Sequence, residues 1–536
     1  MSDYLFKVSN KKLNLVFLAL LFIFSFTIFL NMKFGSFSGI SSSYMKLEQR
    51  IEVNNSVYDI FYNFKVLDYN LLNNLGDYEI ESFSPFLPGS ELGIIIPSGY
   101  FKINEGNFVG SKYPVYFPFV SYFYKTSLGL ENSFTFIGYI SLLVIGLFFI
   151  FYRKLFDNKY LILGIFMLFS SSVLTSLFTG RFIRELFSFL IIYFSYFMFF
   201  KFKETQRWFY FYLGSFSLGI SCSIRITNVI FALPILILLF ENIKNSQFWK
   251  DFYKKIIVSF FLFLSGLVTF IFQTVYPVIK LNNFFIPISG NFNALKITSL
   301  VSSSNTFGLP NWIVLLNYSI SNIGYIILVF ILIFFMFHFK KFKNKILIFS
   351  LVSIYLINLI LFGSWTNPWP RYILNAIPIL VTLFLFSFKE MNFPNKVKDI
   401  CMIIILFTSS VSFLLLSFNS THYWSEVYDK NFYSDIKNIE NFVVSDSLIL
   451  TSINSQNLNN QNLRGYFDAV VDNSDIIGIK NSTIYDYYDY ESFDYEGLYY
   501  LTNKPYYSSK LTLIYSFKLG NKINDDFYLF EVNFAE

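Results

Sequence analysis

Apolar residues in this chain gather into long, nearly uninterrupted runs at about residues 13–31, 134–152, 160–178, 186–200, 208–224, 227–240, 256–276, 317–337, 346–363, 372–388 and 399–417. A helix needs about 20 apolar residues to cross roughly 30 Å of hydrocarbon. The runs therefore predict a polytopic α-helical membrane protein with about eleven spans. The stretch from Trp208 to Phe240 is long for one span and short for two, and it contains Arg225 and Pro234. The pattern predicts two short helices meeting near Arg225, because a single span would invert every later segment against the charge rule.

Polar and Tyr-rich segments interrupt the pattern three times, at a first loop of about residues 32–133, a middle loop at 277–316 and a tail at 418–536. The tail carries β-rich runs, Phe442–Thr451, Gly497–Leu501, Leu511–Phe517 and Phe527–Val532, between Asn-rich stretches. It predicts a small α/β domain. The expected division is a transmembrane domain over 1–417, including the first loop, and a second domain over 418–536. No internal repeat is visible, which weighs against transporter architectures built from duplicated halves.

Charge orients the spans. With the N-terminus in the cytoplasm, the inner segments 1–12, 153–159, 201–207, 241–255, 338–345 and 389–398 carry about half of the 41 Lys and Arg residues, whereas the outer segments 179–185, 277–316 and 364–371 carry few. That asymmetry predicts a multi-pass protein of the plasma membrane whose first loop and tail lie outside the cytoplasm. The net charge of +6 comes from these short clusters and not from one basic face, so nucleic acid is not an expected partner. A composition of 54% hydrophobic and 14% charged residues makes the lipid bilayer the main solvent. Cys222 and Cys401 sit in separate apolar runs and suggest neither a disulfide nor a metal site. The run from Leu13 is longer than a signal-peptide core and no small-residue cleavage site follows it, so it reads as a retained first span.

Candidate chemistry lies in the outer segments. The first loop holds Asp59, Asp68, Asp77, Glu79, Glu81 and Glu91, and then the stretch Lys112-Tyr113-Pro114-Val115-Tyr116-Phe117-Pro118. A carboxylate close to the outer face could take a proton from an acceptor hydroxyl attacking a phosphate-linked sugar; the acids of a loop also serve simply to solvate it. The second outer loop reads Thr179-Gly180-Arg181-Phe182-Ile183-Arg184-Glu185. Its ionisable groups at a membrane boundary are functional candidates unless the arginines only snorkel to the interface. Arg371 begins a predicted span directly after Trp369-Pro370, where its planar fork suits a phosphate and where it could equally be an anchor. His338 and His422 have no partner suggesting catalysis. No Gly-rich phosphate loop, nucleotide-binding β-α-β pattern or His/Cys metal spacing is present.

The order of a first span, an acidic loop and the Lys112–Pro118 segment resembles the GT-C membrane glycosyltransferases, including the protein-mannosyltransferase and aminoarabinose-transferase group. Two further stretches are similar to that family's: Ser223-Ile224-Arg225-Ile226-Thr227-Asn228 followed by Pro234, and Gly363–Tyr372 followed by Pro378. The resemblance covers about residues 10–390. It implies a GT-C fold and a sugar donor linked to polyprenyl or dolichyl phosphate. The reaction it implies is an inverting transfer to a glycan, lipid or protein acceptor outside the cytoplasm. Where many members carry an acidic pair after the first span, Asn54–Asp59 departs from the pattern, and Tyr58-Asp59 points to Asp59 as the base. The resemblance further implies Glu185 as a second acid that orients the acceptor or a divalent cation. Arg225 and Arg371 would hold the lipid phosphate, with Lys112, Tyr113, Arg184 and Tyr372 lining the substrate site. A transporter or flippase for lipid-linked glycans is the rival, and it would place its ionisable residues in mid-span.

Overall fold

The computed structural model describes parts of residues 94–111, then 116–128, 134–171, 184–271, 310–323, 345–364, 370–427, 435–451 and parts of 471–533, apart from single positions. Asp59, Lys112 and Tyr113 lie outside the described residues, as does the first apolar run.

Among the described residues the helices are α1 Tyr116–Leu128, α2 Phe134–Leu155, α3 Asn158–Phe169, α4 Arg184–Thr205, α5 Trp208–Ile224, α6 Ala232–Lys244, α7 Ser246–Gly266, α8 Asn311–Ile323, α9 Lys345–Gly363, α10 Ile377–Glu390 and α11 Asn395–Val427. Helices α2, α4, α5 and α9 lie close to their expected runs, whereas α1 forms inside the expected first loop, α7 and α8 begin ten and six residues early, and α11 extends ten residues past its run. Among the described residues, three helices are long and apolar enough to cross a membrane: Phe136–Leu155, Arg184–Thr205 and Lys345–Gly363. Two shorter apolar segments, Asn158–Leu168 and Ile226–Phe240, accompany them. In α11 the exposed residues Ile400, Ile403, Ile404, Phe407, Val411 and Leu415 recur at helical spacing. Such an outward apolar stripe suits lipid, not water.

The helices divide into those buried all round and those with an open face. Helix α4 is central: residues from Arg184 to Phe202 are buried along nearly its whole length, and it packs against α2, α5 and α6. Some polar side chains inside the bundle are satisfied across helices. The Tyr196 hydroxyl lies 2.8 Å from Ser350 Oγ, which donates to the Pro234 carbonyl at 2.7 Å. That chain ties α4, α9 and α6 together.

Helices α5 and α7 approach almost backbone to backbone. A Cβ added at Gly219 would lie 2.1 Å from the Phe263 carbonyl oxygen, and one added at Gly266 would lie 2.4 Å from the Phe216 oxygen. Ser215, Gly219 and Ser223 recur every four residues on α5, the small-residue spacing that lets apolar helices meet closely where no hydrophobic drive separates them from lipid. Ser223 Oγ completes the contact by donating to the Gly266 carbonyl at 2.8 Å.

The tail forms most of a six-stranded sheet. Its strands are β4 Ser447–Thr451, β5 Ser474–Ile479, β6 Gly497–Thr502, β7 Leu511–Lys518 and β8 Asp526–Val532. The sixth strand, β1 Ile94–Ile95, comes from the first loop, and the order is β1-β5-β4-β6-β8-β7. Strand β4 runs parallel to both β5 and β6, and its Ile449 and Leu450 are buried, as expected of a parallel strand covered on both faces. Pairing of Ile94 with Ile479 puts a piece of the first loop and the tail in one sheet, hence on one side of the helical body. Strands β2 Tyr100–Lys102 and β3 Val109–Ser111 form a separate antiparallel pair.

Further local outcomes differ from the sequence reading. The run Phe442–Thr451 becomes a strand only from Ser447; a 3-10 turn at Asn438–Asn441 precedes it, and Phe442 instead stacks on Tyr515 with ring centroids 4.1 Å apart. Strand β5 was hidden because only Ile476, Ile477 and Ile479 mark it within a polar neighbourhood. The run expected to enter the membrane at Arg371 opens with one 3-10 turn, Pro370–Ile373. Helix α10 itself begins at Ile377, with Pro378 in its first turn. Proline's missing N–H is harmless in a first turn, so the helix can open just before Pro378, at Ile377.

Candidate functional site

The described part of the site is a break in the chain between two helices. Helix α5 stops at Ile224, Arg225 is extended with φ −152° and ψ 104°, and a 3-10 segment, Ile226–Phe231, leads into α6. Local chemistry explains the stop. Ile224, Ile226 and Thr227 are β-branched and helix-averse. Pro234 must sit in the opening turn of a new helix, because deeper inside it would remove a backbone bond.

Hydrogen bonds from both sides hold the break. The Arg225 N–H donates to the Ser221 carbonyl at 2.9 Å. Asn228 Nδ2 donates to that same carbonyl at 3.1 Å and to Ser188 Oγ at 2.7 Å, which joins the break to the second turn of α4. Arg184 Nη1 donates to the Ile224 carbonyl at 3.4 Å. The two residues that open α4 are buried, Arg184 and Glu185 each being 6% exposed. Glu185 thus sits in a first turn, where the positive end of the helix dipole favours an anionic side chain.

Aromatic rings close the other side. The Arg225 guanidinium lies 4.5 Å from the Phe362 ring centroid and 5.5 Å from that of Tyr372. Those two rings stack on each other at 4.9 Å with an interplanar angle of 13°. Phe362 comes from the end of α9 and Tyr372 from the 3-10 turn, so three elements converge on one guanidinium. Arg371 precedes Tyr372 on that turn; its backbone is described and its side chain is not. Tyr116 stacks on Phe187 at 6.4 Å and 9°, which seats the start of α1, four residues after Lys112, over the first turn of α4.

The structure therefore brings together Arg184, Arg225 and Tyr372 from segments far apart in sequence, with Glu185 buried beside Arg184 in the first turn of α4. Phe362, Ser188 and Asn228 frame them. Of these three, only Asn228 stood in a stretch with a recognisable pattern, and Phe362 is one of 73 phenylalanines with nothing in its neighbourhood to mark it. Among the described residues, no group of three or more His, Cys, Asp or Glu side chains comes together to hold a metal ion. A buried cation beside hydrogen-bond donors at a helix opening suits an anion, and an acid within the same cluster suits handling of a hydroxyl or amine.

The fold that carries this cluster is GT-C-like, a polytopic membrane architecture. It is seen in ArnT from Cupriavidus metallidurans. The crystal structure of ArnT in the apo state superposes with a TM-score of 0.54 at 10% identity, over 96% of this chain and 97% of that one. The crystal structure of ArnT bound to undecaprenyl phosphate gives 0.58 at 10% identity, over 97% of this chain and 98% of that one. No known family profile and no curated protein sequence matches the chain.

Proposed function

We propose that the chain is a membrane glycosyltransferase that takes a sugar from a polyprenyl-phosphate donor and passes it to a glycan, lipid or protein acceptor outside the cytoplasm. The observation that carries this reading is the convergence of Arg184, Glu185 and Arg225, all buried, at one helix break of a GT-C-like fold. In this scheme Arg225 and Arg371 hold the lipid phosphate and Arg184 fixes the break beside them. Lys112, Tyr113 and Tyr372 line the donor site. Asp59 takes the acceptor's proton as the hydroxyl or amine attacks the anomeric carbon and the lipid phosphate leaves, inverting the centre. Glu185 orients the acceptor, or a divalent cation if one is required. The binding of undecaprenyl phosphate by ArnT supports a lipid-phosphate ligand for this fold. The transporter reading expects charges in mid-span, whereas the buried ionisable residues Arg184, Glu185 and Arg225 lie at helix ends.

The test is transfer of label from radiolabelled polyprenyl-phosphate sugars to endogenous acceptors in membranes containing the full chain. The expected result is product with the wild type and loss of at least a hundredfold in rate with Arg225→Ala. Equal product from membranes with and without the chain, for every donor sugar tried, would sink the proposal.

A further inference from the structure

Arg225 could serve an anion in two ways. As a loose positive charge it would need only to be nearby; as a fork it must be held in one plane. The surroundings favour the second. All the donors of a guanidinium lie in its own plane, so a ring placed against its face leaves the N–H edges directed sideways. The Arg225 guanidinium carbon sits over the Phe362 ring, 4.5 Å from its centroid, close enough for the ring to restrict how the fork can turn, and the ring is itself held, being 2% exposed and stacked on Tyr372. The backbone of Arg225 is fixed independently, through its N–H to Ser221 and through the Arg184 bond to the preceding carbonyl.

We infer that Phe362 is a positioning residue for anion recognition: stacked on Tyr372, it sets the plane of the Arg225 guanidinium so that the edge of the fork meets a phosphate. This rests on the lipid-phosphate reading above and adds to it a residue that contacts neither donor nor acceptor. It explains why a phenylalanine at the end of a lipid-crossing helix matters chemically when dozens of others serve only to pack. Cation–aromatic contact out of water is worth up to about 2 kcal/mol, which corresponds to about thirtyfold in an equilibrium constant.

The experiment titrates undecaprenyl phosphate into the full-length chain in nanodiscs of zwitterionic lipid and reads bound lipid by native mass spectrometry. Wild type, Phe362→Leu, Phe362→Tyr, Arg225→Gln and the double variant Phe362→Leu/Arg225→Gln are compared. Phe362→Leu, which keeps an apolar side chain, is expected to weaken binding by about tenfold to thirtyfold. Phe362→Tyr is expected to restore it to within about threefold, since a phenol ring offers the same face. In the Arg225→Gln background the Phe362→Leu change is expected to cost less than about threefold, because nothing remains for the ring to align. Wild-type affinity in Phe362→Leu would overturn the inference. So would an equal loss in both backgrounds, which would mean that Phe362 acts through packing alone. If the wild type shows no saturable binding, the lipid-phosphate reading falls and takes the inference with it; a saturable wild type matched by Phe362→Leu overturns the inference only.

Discussion

Adding one methyl group at Gly219 should loosen the α5–α7 pair measurably. The new Cβ would stand 2.1 Å from the Phe263 carbonyl oxygen, 3.0 Å from its carbon and 3.1 Å from Gly266 Cα, all backbone atoms that no rotamer change can move aside. Restoring an ordinary contact of about 3.4 Å requires the two helices to part by about 1.3 Å, a gap that forfeits roughly half of the dispersion energy across the seam. The separation also strains the 2.8 Å bond from Ser223 to the Gly266 carbonyl, and bonds of this kind between membrane helices are worth about 0.6 kcal/mol on average. Overpacking costs about 1–3 kcal/mol, so Gly219→Ala should destabilise the chain by about 2–3 kcal/mol. Gly146→Ala is the control: nothing lies within 4 Å of the added Cβ, and alanine's better helix propensity should leave stability unchanged or raised by up to about 1 kcal/mol. Equilibrium unfolding in mixed micelles, followed by circular dichroism, gives both values. If Gly219→Ala comes within about 0.5 kcal/mol of Gly146→Ala, the argument from close backbone approach is wrong.

Asp59→Asn is expected to reduce turnover by about two to four orders of magnitude while donor binding stays near wild type; wild-type turnover would pass the base role to Asp68 or another first-loop acid. Arg371→Lys should insert normally yet weaken donor binding by about 1.5–3 kcal/mol, measured in the same nanodiscs as the wild type, because an ammonium cannot fork onto a phosphate. Equal affinity would leave Arg371 as an anchor. Cysteine substitutions at Ser90, His338 and Ser508 should label from opposite sides of intact cells, Ser90 and Ser508 together and His338 alone. Finding His338 with Ser508 on one side would reject the eleven-span topology.

The body of the fold was legible because lipid imposes one rule on every span. Where the apolar run was clean, as at Trp208–Ile224, the helix has the bounds the pattern implies. The break at Arg225 was also visible, since an arginine and a proline in one long run leave few alternatives. The site was legible only in part, and the division follows chemistry. Charged residues stand out in an apolar background, so Arg184, Glu185 and Arg225 drew notice. Phe362, whose ring takes its meaning from a guanidinium 137 positions earlier in the chain, has no local signal at all. The tail was harder still: the two residues of β1 pair with a strand nearly four hundred positions later, and no local propensity encodes a partner at that distance.

Helix α11 runs for 33 residues, Asn395–Val427, which at 1.5 Å per residue is about 50 Å. The hydrocarbon of a bilayer is only about 30 Å thick. The rod is longer than that layer: its apolar part ends near Leu416, and the turns that follow, Ser417 to Val427, continue the same helix. A sheet that takes β4 to β8 from the tail and β1 from the first loop is tied to the helical body at two points of the chain, so its freedom is that of a loop closed at both ends and not of a free tail.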